Sequence, residues 1–167
     1  MKATTMLRRQ HDRIAQVVGA LEHEKHLRAP LFVELREELT ALIAIEESVF
    51  YPYVESVVGV RLSAHRAEHV RAKSALLSLA SCLRSSPSPA SSQSDVVAFA
   101  SSFRELKATV ERHIALERSA LLPAVENELG DEALETLGKR MHDFHFALLN
   151  VARNRTSAVA VPDLLAS

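Results

Sequence analysis

His113 and Glu117 stand four residues apart in the segment HIALE, a spacing that sets one above the other on a single helix face. Val110 and Leu121 share that face, so the pair points toward a core rather than water. A carboxylate carried into a core is costly unless it is paired or bound to a cation. Metal ligation is therefore the chemistry this pair offers, with a partly exposed His–Glu hydrogen bond as the alternative. A second segment, HRAEH, places His65 and His69 one turn apart, and two imidazoles so spaced can ligate one ion. They could equally line a helix edge with only one ring inward. His11 lies at the depth of Leu7 and Ile14; alone, it reads as a hydrogen-bonded core residue.

Glu46 gains its meaning from a repeat. It lies six residues before Pro52, as Glu117 lies six before Pro123, and the flanking texture matches: IAIEESVFYP against IALERSALLP. This pattern describes a helical hairpin used twice, with approximate two-fold symmetry. Glu46 and Glu117 should then reach the bundle axis from opposite helices. Two carboxylates meeting there repel one another and desolvate badly unless a cation lies between them. Helix bundles with carboxylate-bridged two-iron sites use paired glutamates in this way and complete the coordination with histidines.

Five helices must position these groups. The first is expected over about Thr5–His26, with Leu7, His11, Ile14, Val18 and Leu21 at helical spacing. Pro30 suits a first turn. The second runs from about Leu31 to Val57, with Pro52 kinking it or breaking its last turn and Gly59 as its stop. The third covers about Leu62–Leu83 and carries apolar Val70, Leu76, Leu77 and Leu79. Ser85–Ser94 reads as a polar linker, and Asp95 as a cap for a fourth helix over about Val96–Leu129. A shorter fifth helix, about Glu132–Val151, follows Gly130 with Asp131 as its cap. The fold class is all-α: an antiparallel four-helix up-down bundle with an extra C-terminal helix, occupying residues 1–153, and a loosely ordered tail over 154–167.

Composition agrees and narrows the function. Only 4 glycines and 6 prolines interrupt 167 residues, which favours long helices, and there are 8 histidines. A net charge of −1 argues against a nucleic-acid partner, since such proteins need a basic surface to displace counterions. The single cysteine, Cys82, excludes an internal disulfide framework and any Cys-rich metal site. No signal-like or membrane-spanning apolar run is present, so a cytoplasmic location without a membrane partner is expected. There is no Gly-rich phosphate loop and no G-x-S-x-G elbow.

With His11, the doubled Glu…Pro segment, Glu68-His69 and His113-x-x-x-Glu117 in this order, the chain resembles the hemerythrin-like HHE cation-binding family over roughly residues 5–150. Within it the chain is similar to the mycobacterial hemerythrin-like proteins, through IEESVFYPYV, AHRAEH, HIALERSALLPA and LETLGKRM. The resemblance implies a metal site of His11, Glu46, His69, His113 and Glu117. From the mycobacterial proteins, Tyr51 joins as a further ligand. It implies non-haem iron, two ions in the family's manner, reacting with H2O2, O2 or NO, and a catalase-like decomposition of peroxide or protection against oxidative and nitrosative stress. One position departs from the pattern: Leu42 stands where the second helix should supply a histidine.

Three substitutes for that histidine are open. His65 could supply a nitrogen from the third helix. Tyr51 lies about 140° from Glu46 on an ideal helix and needs a distortion near Pro52 to reach the site. Tyr53, seven residues from Glu46, is nearly in line and ranks second. His142 and His145 on the last helix are lesser metal candidates. Glu47 and Glu68 are expected in solvent or outside the ligand shell. Leu42 also supports an alternative, a degenerate bundle with one metal or none acting as sensor or scaffold. Zinc at His65 and His69 is a third reading.

Overall fold

The computed structural model describes residues 1–85 and 93–159. Helix α1 spans Ala3–His23, and its buried residues, among them Leu7, His11, Ile14, Val18 and Leu21, form one stripe. It stops short of His26, because a single 3-10 turn, Lys25–Leu27, already makes the link to α2, Arg28–Ile45. Pro30 lies in the first turn of α2, where backbone N–H groups lack helical acceptors. The rod continues through a π-helical turn, Glu46–Phe50, into α3, Tyr51–Val57. Gly59 follows with φ 72, the left-handed conformation that ends helices without steric cost to glycine.

Helix α4 covers Ser63–Ser85. Its inward residues are His65, His69, Ala72, Leu76 and Leu79, three and four apart. Val70 and Leu77, expected with the apolar set, are exposed because each sits one step off that stripe. The expected polar linker falls mostly outside the described residues. Helix α5 begins earlier than expected, at Gln93, and runs to Leu116. Asp95 therefore lies within its first turn, where a negative charge suits the helix dipole. A second π-helical turn, Glu117–Leu121, leads into α6, Leu122–Glu128.

Helices α1, α2 with α3, α4, and α5 with α6 are the four rods of the bundle. Consecutive rods form hairpins, α1 against α2 and α4 against α5, and the described residues contain no strand. The fifth helix, α7, is not the short one expected. It runs from Asp131 to Val159, past Val151, and is the longest single α-helix described. Asp131 is its first residue rather than its cap, and bonds Lys2 at 2.7 Å. α7 packs on α1 and α2 through Leu134, Leu137 and Met141, all buried. Gly138 admits the chain's start: a Cβ there would collide with the backbone carbonyl of Met1. No described helix is long and apolar enough to cross a membrane.

Candidate metal centre

Both glutamates of the repeat begin a π-helical turn. The amide of Tyr51 bonds the carbonyl of Glu46, and the amide of Leu122 bonds that of Glu117, each across five residues. The cause is local. Pro52 and Pro123 offer no N–H to Ser48 and Ser119, four residues upstream, so the ladder widens just ahead of each proline. Residues five apart then come to nearly the same side of the rod, which carries Tyr51 to the face of Glu46. The distortion includes the widened turn just before Pro52.

The side chains converge in the bundle core. His11, Glu46, His113 and Glu117 are all buried and offer ligand atoms within 4.8 Å of one another. His11 Nε2 is 3.3 Å from Glu117 Oε2 and 3.8 Å from Glu46 Oε1. The other oxygen of Glu46, Oε2, is 2.9 Å from His69 Nε2 and 3.5 Å from His113 Nε2. Tyr51 Oη donates to Glu117 Oε1 at 2.7 Å and lies 3.3 Å from His69 Nε2. Each carboxylate thus turns one oxygen toward His11 and the other toward the group of Tyr51, His69 and His113.

Several of these atoms have no hydrogen-bond partner among the described residues: His11 Nε2, Glu46 Oε1, Glu117 Oε2 and both nitrogens of His113. Buried polar atoms left so are costly and rare. Their convergence, with nitrogen and carboxylate donors facing one another, fits a bound cation. The proton affinities report the same crowding. Burial and repulsion from Glu46 push Glu117 up, so it holds a proton more tightly than an ordinary glutamate. Burial opposes the charge on Glu46 as well, but His11, His113 and His69 outweigh it and hold Glu46 well below the usual range. Burial would lower His11 and His113, yet the facing carboxylates raise both. Tyr51 is driven upward by burial and by Glu46 and Glu117, so without a cation it stays a neutral phenol.

The model of the hemerythrin HHE cation binding domain matches residues 2–125. The chain belongs to the hemerythrin HHE family. Comparison with curated proteins and with solved structures returns no match. The hemerythrin match covers the helices that carry every group above and ends before α7. Cation binding is the property this membership and the buried His/Glu cluster support together.

Against this hemerythrin frame the other candidates divide. His65 is buried beside Tyr51, ring centroids 6.0 Å apart, and neither of its nitrogens has a partner among the described residues. Burial and the neighbouring His113 lower its pKa, so it stays a neutral imidazole. Tyr53 does not reach the cluster; it is half-buried beneath Arg140, since the wide turn rotates Tyr51 inward instead. His142 and His145 do not reach it either. His142 is exposed beside Asp143 and His145 half-buried, both on α7, which packs outside the ligand-bearing helices. Leu42 is fully buried one turn before Glu46, as His113 precedes Glu117, and brings no nitrogen.

Three outer groups complete the surroundings. Glu47 Oε1 lies 2.9 Å from His69 Nδ1, while Lys73 holds the same carboxylate. Glu68 is not solvated: it is buried under Arg112, at 3.0 Å, and Arg71. Arg118, which sequence reasoning missed, bonds the carbonyl of Arg8 and Asp12 and reaches to 3.4 Å from His11 Nδ1. Its position beside Glu117 in the chain was the available signal.

Proposed function

We propose that this protein holds two non-haem iron ions between Glu46 and Glu117 and decomposes peroxide in a catalase-like reaction. The observation that carries the reading is the two-sided use of both carboxylates, one oxygen of each toward His11 and one toward Tyr51, His69 and His113. Paired glutamates spanning two ions are the arrangement such helix bundles use. Bound iron would supply the two-electron exchange in which one peroxide is reduced to water and a second is oxidised to dioxygen.

The chain's own groups prepare that site. With Nδ1–H donating to Glu47, Nε2 is the nitrogen of His69 that would ligate. The phenol of Tyr51 ligates as an anion, and hard anionic oxygen favours ferric iron over ferrous. That preference suits peroxide chemistry better than reversible O2 carriage, which needs an accessible diferrous state. His65, neutral and unpartnered beside Tyr51, is available as a further nitrogen or as a proton acceptor.

The test is metal identity and content at saturating iron, with free metal accounted for by equilibrium dialysis, and peroxide consumption measured on the same sample. Iron near two per chain, a phenolate-to-iron charge-transfer band and peroxide loss are expected. A colourless, iron-free protein after expression in iron-rich medium overturns the reading. Leu42 favours a second reading, a bundle with one ion or none that serves as sensor or scaffold. Metal content of one or zero without peroxide turnover would select it.

A further inference from the structure

We infer that the two sides of this centre hold their ions unequally, with the tyrosine side tight and the His11 side labile. The inference rests on the two-ion reading above and adds an order of loading to it.

The donors divide unevenly. On the tyrosine side, Glu46 Oε2 and Glu117 Oε1 face Tyr51 Oη, His69 Nε2 and His113 Nε2. His113 belongs here by its 3.5 Å contact to Glu46 Oε2 and by its ring, 4.9 Å from that of His69 and 5.8 Å from that of His11. On the opposite side, Glu46 Oε1 and Glu117 Oε2 face His11 Nε2. Neither these two oxygens nor His11 Nε2 has a hydrogen-bond partner among the described residues.

The repeat explains the shortfall. Each half has a position one turn before its glutamate from which a side chain can reach the ions. His113 fills it on α5; on α2 the same position is Leu42, buried and without a donor atom. A cation bound beside His11 would take its remaining ligands from solvent, which exchanges, rather than from the chain. The Tyr51 phenol, His69 and His113 hold the other side with fixed protein donors.

Anaerobic titration of the metal-free protein with ferrous iron, followed by calorimetry and by iron retained through gel filtration, tests this. Two steps are expected, the second at least about tenfold weaker, the lower end of what losing even an outer partner of a ligand costs. One ion per chain should survive filtration. His11→Gln should abolish the second step and leave the first, whereas Leu42→His should tighten the second at least about tenfold and leave the first. Circular dichroism of each metal-free variant checks folding, and His11→Gln decides alone if Leu42→His does not fold. Two ions bound in one equal phase, no second ion at millimolar iron, or a His11→Gln variant that loses the first step overturns unequal holding. Only a wild-type chain that binds no iron at all overturns the metal centre itself.

Discussion

Tyr51 donates its phenol proton to Glu117 Oε1 at 2.7 Å, joining the two halves of the internal repeat through a residue that only one half possesses. Its counterpart at the end of the second wide turn is Leu122, which bonds Glu117 through its backbone amide and has no oxygen to offer the site. The repeat is thus symmetric in backbone and asymmetric in chemistry. The phenol's raised proton affinity means that it ionises only if a cation takes the proton's place.

Tyr51→Phe should therefore remove the charge-transfer band of the iron-loaded protein while leaving the helical content intact. Without iron, the same change leaves Glu117 Oε1 without its donor, at a cost of about 1–3 kcal/mol in chemical denaturation. A band that survives the substitution would show that another group ligates the iron.

Glu117→Gln separates stability from binding. In the metal-free chain Glu117 is buried against Glu46 and carries a raised proton affinity, so a neutral amide of the same shape relieves repulsion. The melting temperature without metal should stay level or rise. Iron affinity should fall at least about tenfold, since one ligating oxygen becomes an amide nitrogen and the negative charge is lost. A large loss of stability with metal binding unchanged would mean that the carboxylate serves packing rather than a cation.

How much of this was legible beforehand depends on the kind of relationship. Periodicity and the Glu…Pro repeat locate His11, Glu46, His113 and Glu117 on inward faces, because those positions follow from a 3.6-residue turn. Tyr51 was legible only as a condition, since ordinary helical geometry turns it away and a π-helical turn is needed to bring it back. Contacts between helices were not legible: Glu47 with His69, Glu68 with Arg112 and Arg118 with His11 depend on how rods rotate against each other. The length of α7 was missed for a related reason. The part beyond the expected end, residues 152–159 (ARNRTSAV), offers only alanines and a terminal valine as apolar residues, too little to mark an amphipathic face in sequence.

The metal-free protein should lose stability as pH rises. His11 and His113 have folded pKa values above 6.5, and Glu117 above 4.5. Across the windows from those ordinary values up to the raised ones, the native chain binds more protons than the unfolded chain, so stability falls with pH. Glu46 acts oppositely at the acid end, where its lowered value gives stability that is lost as pH drops through it, and His65, also lowered, acts oppositely below 6.5. Cation binding must displace these protons, so iron affinity rises with pH. Melting curves from about pH 6.5 to about pH 8 should show the metal-free midpoint falling and its gap to the iron-loaded midpoint widening. A metal-free midpoint that climbs over this range contradicts the assignment of those protons.

Glu47 offers a test outside the ligand set. Its carboxylate is partly exposed, held by Lys73, and accepts from His69 Nδ1, which leaves Nε2 of the same ring aimed at Glu46. A carboxylate behind a ligating imidazole fixes its tautomer and orientation, and losing one typically costs about 10–100-fold in metal affinity. Glu47→Ala should weaken iron binding by that order, while the metal-free melting temperature moves little because the site lies at the surface. Glu47→Gln keeps an oxygen that accepts from Nδ1–H and should retain most of the affinity. Titration of both variants distinguishes positioning from general electrostatics: if the two lose affinity equally, the charge of Glu47 matters and its hydrogen bond to His69 does not.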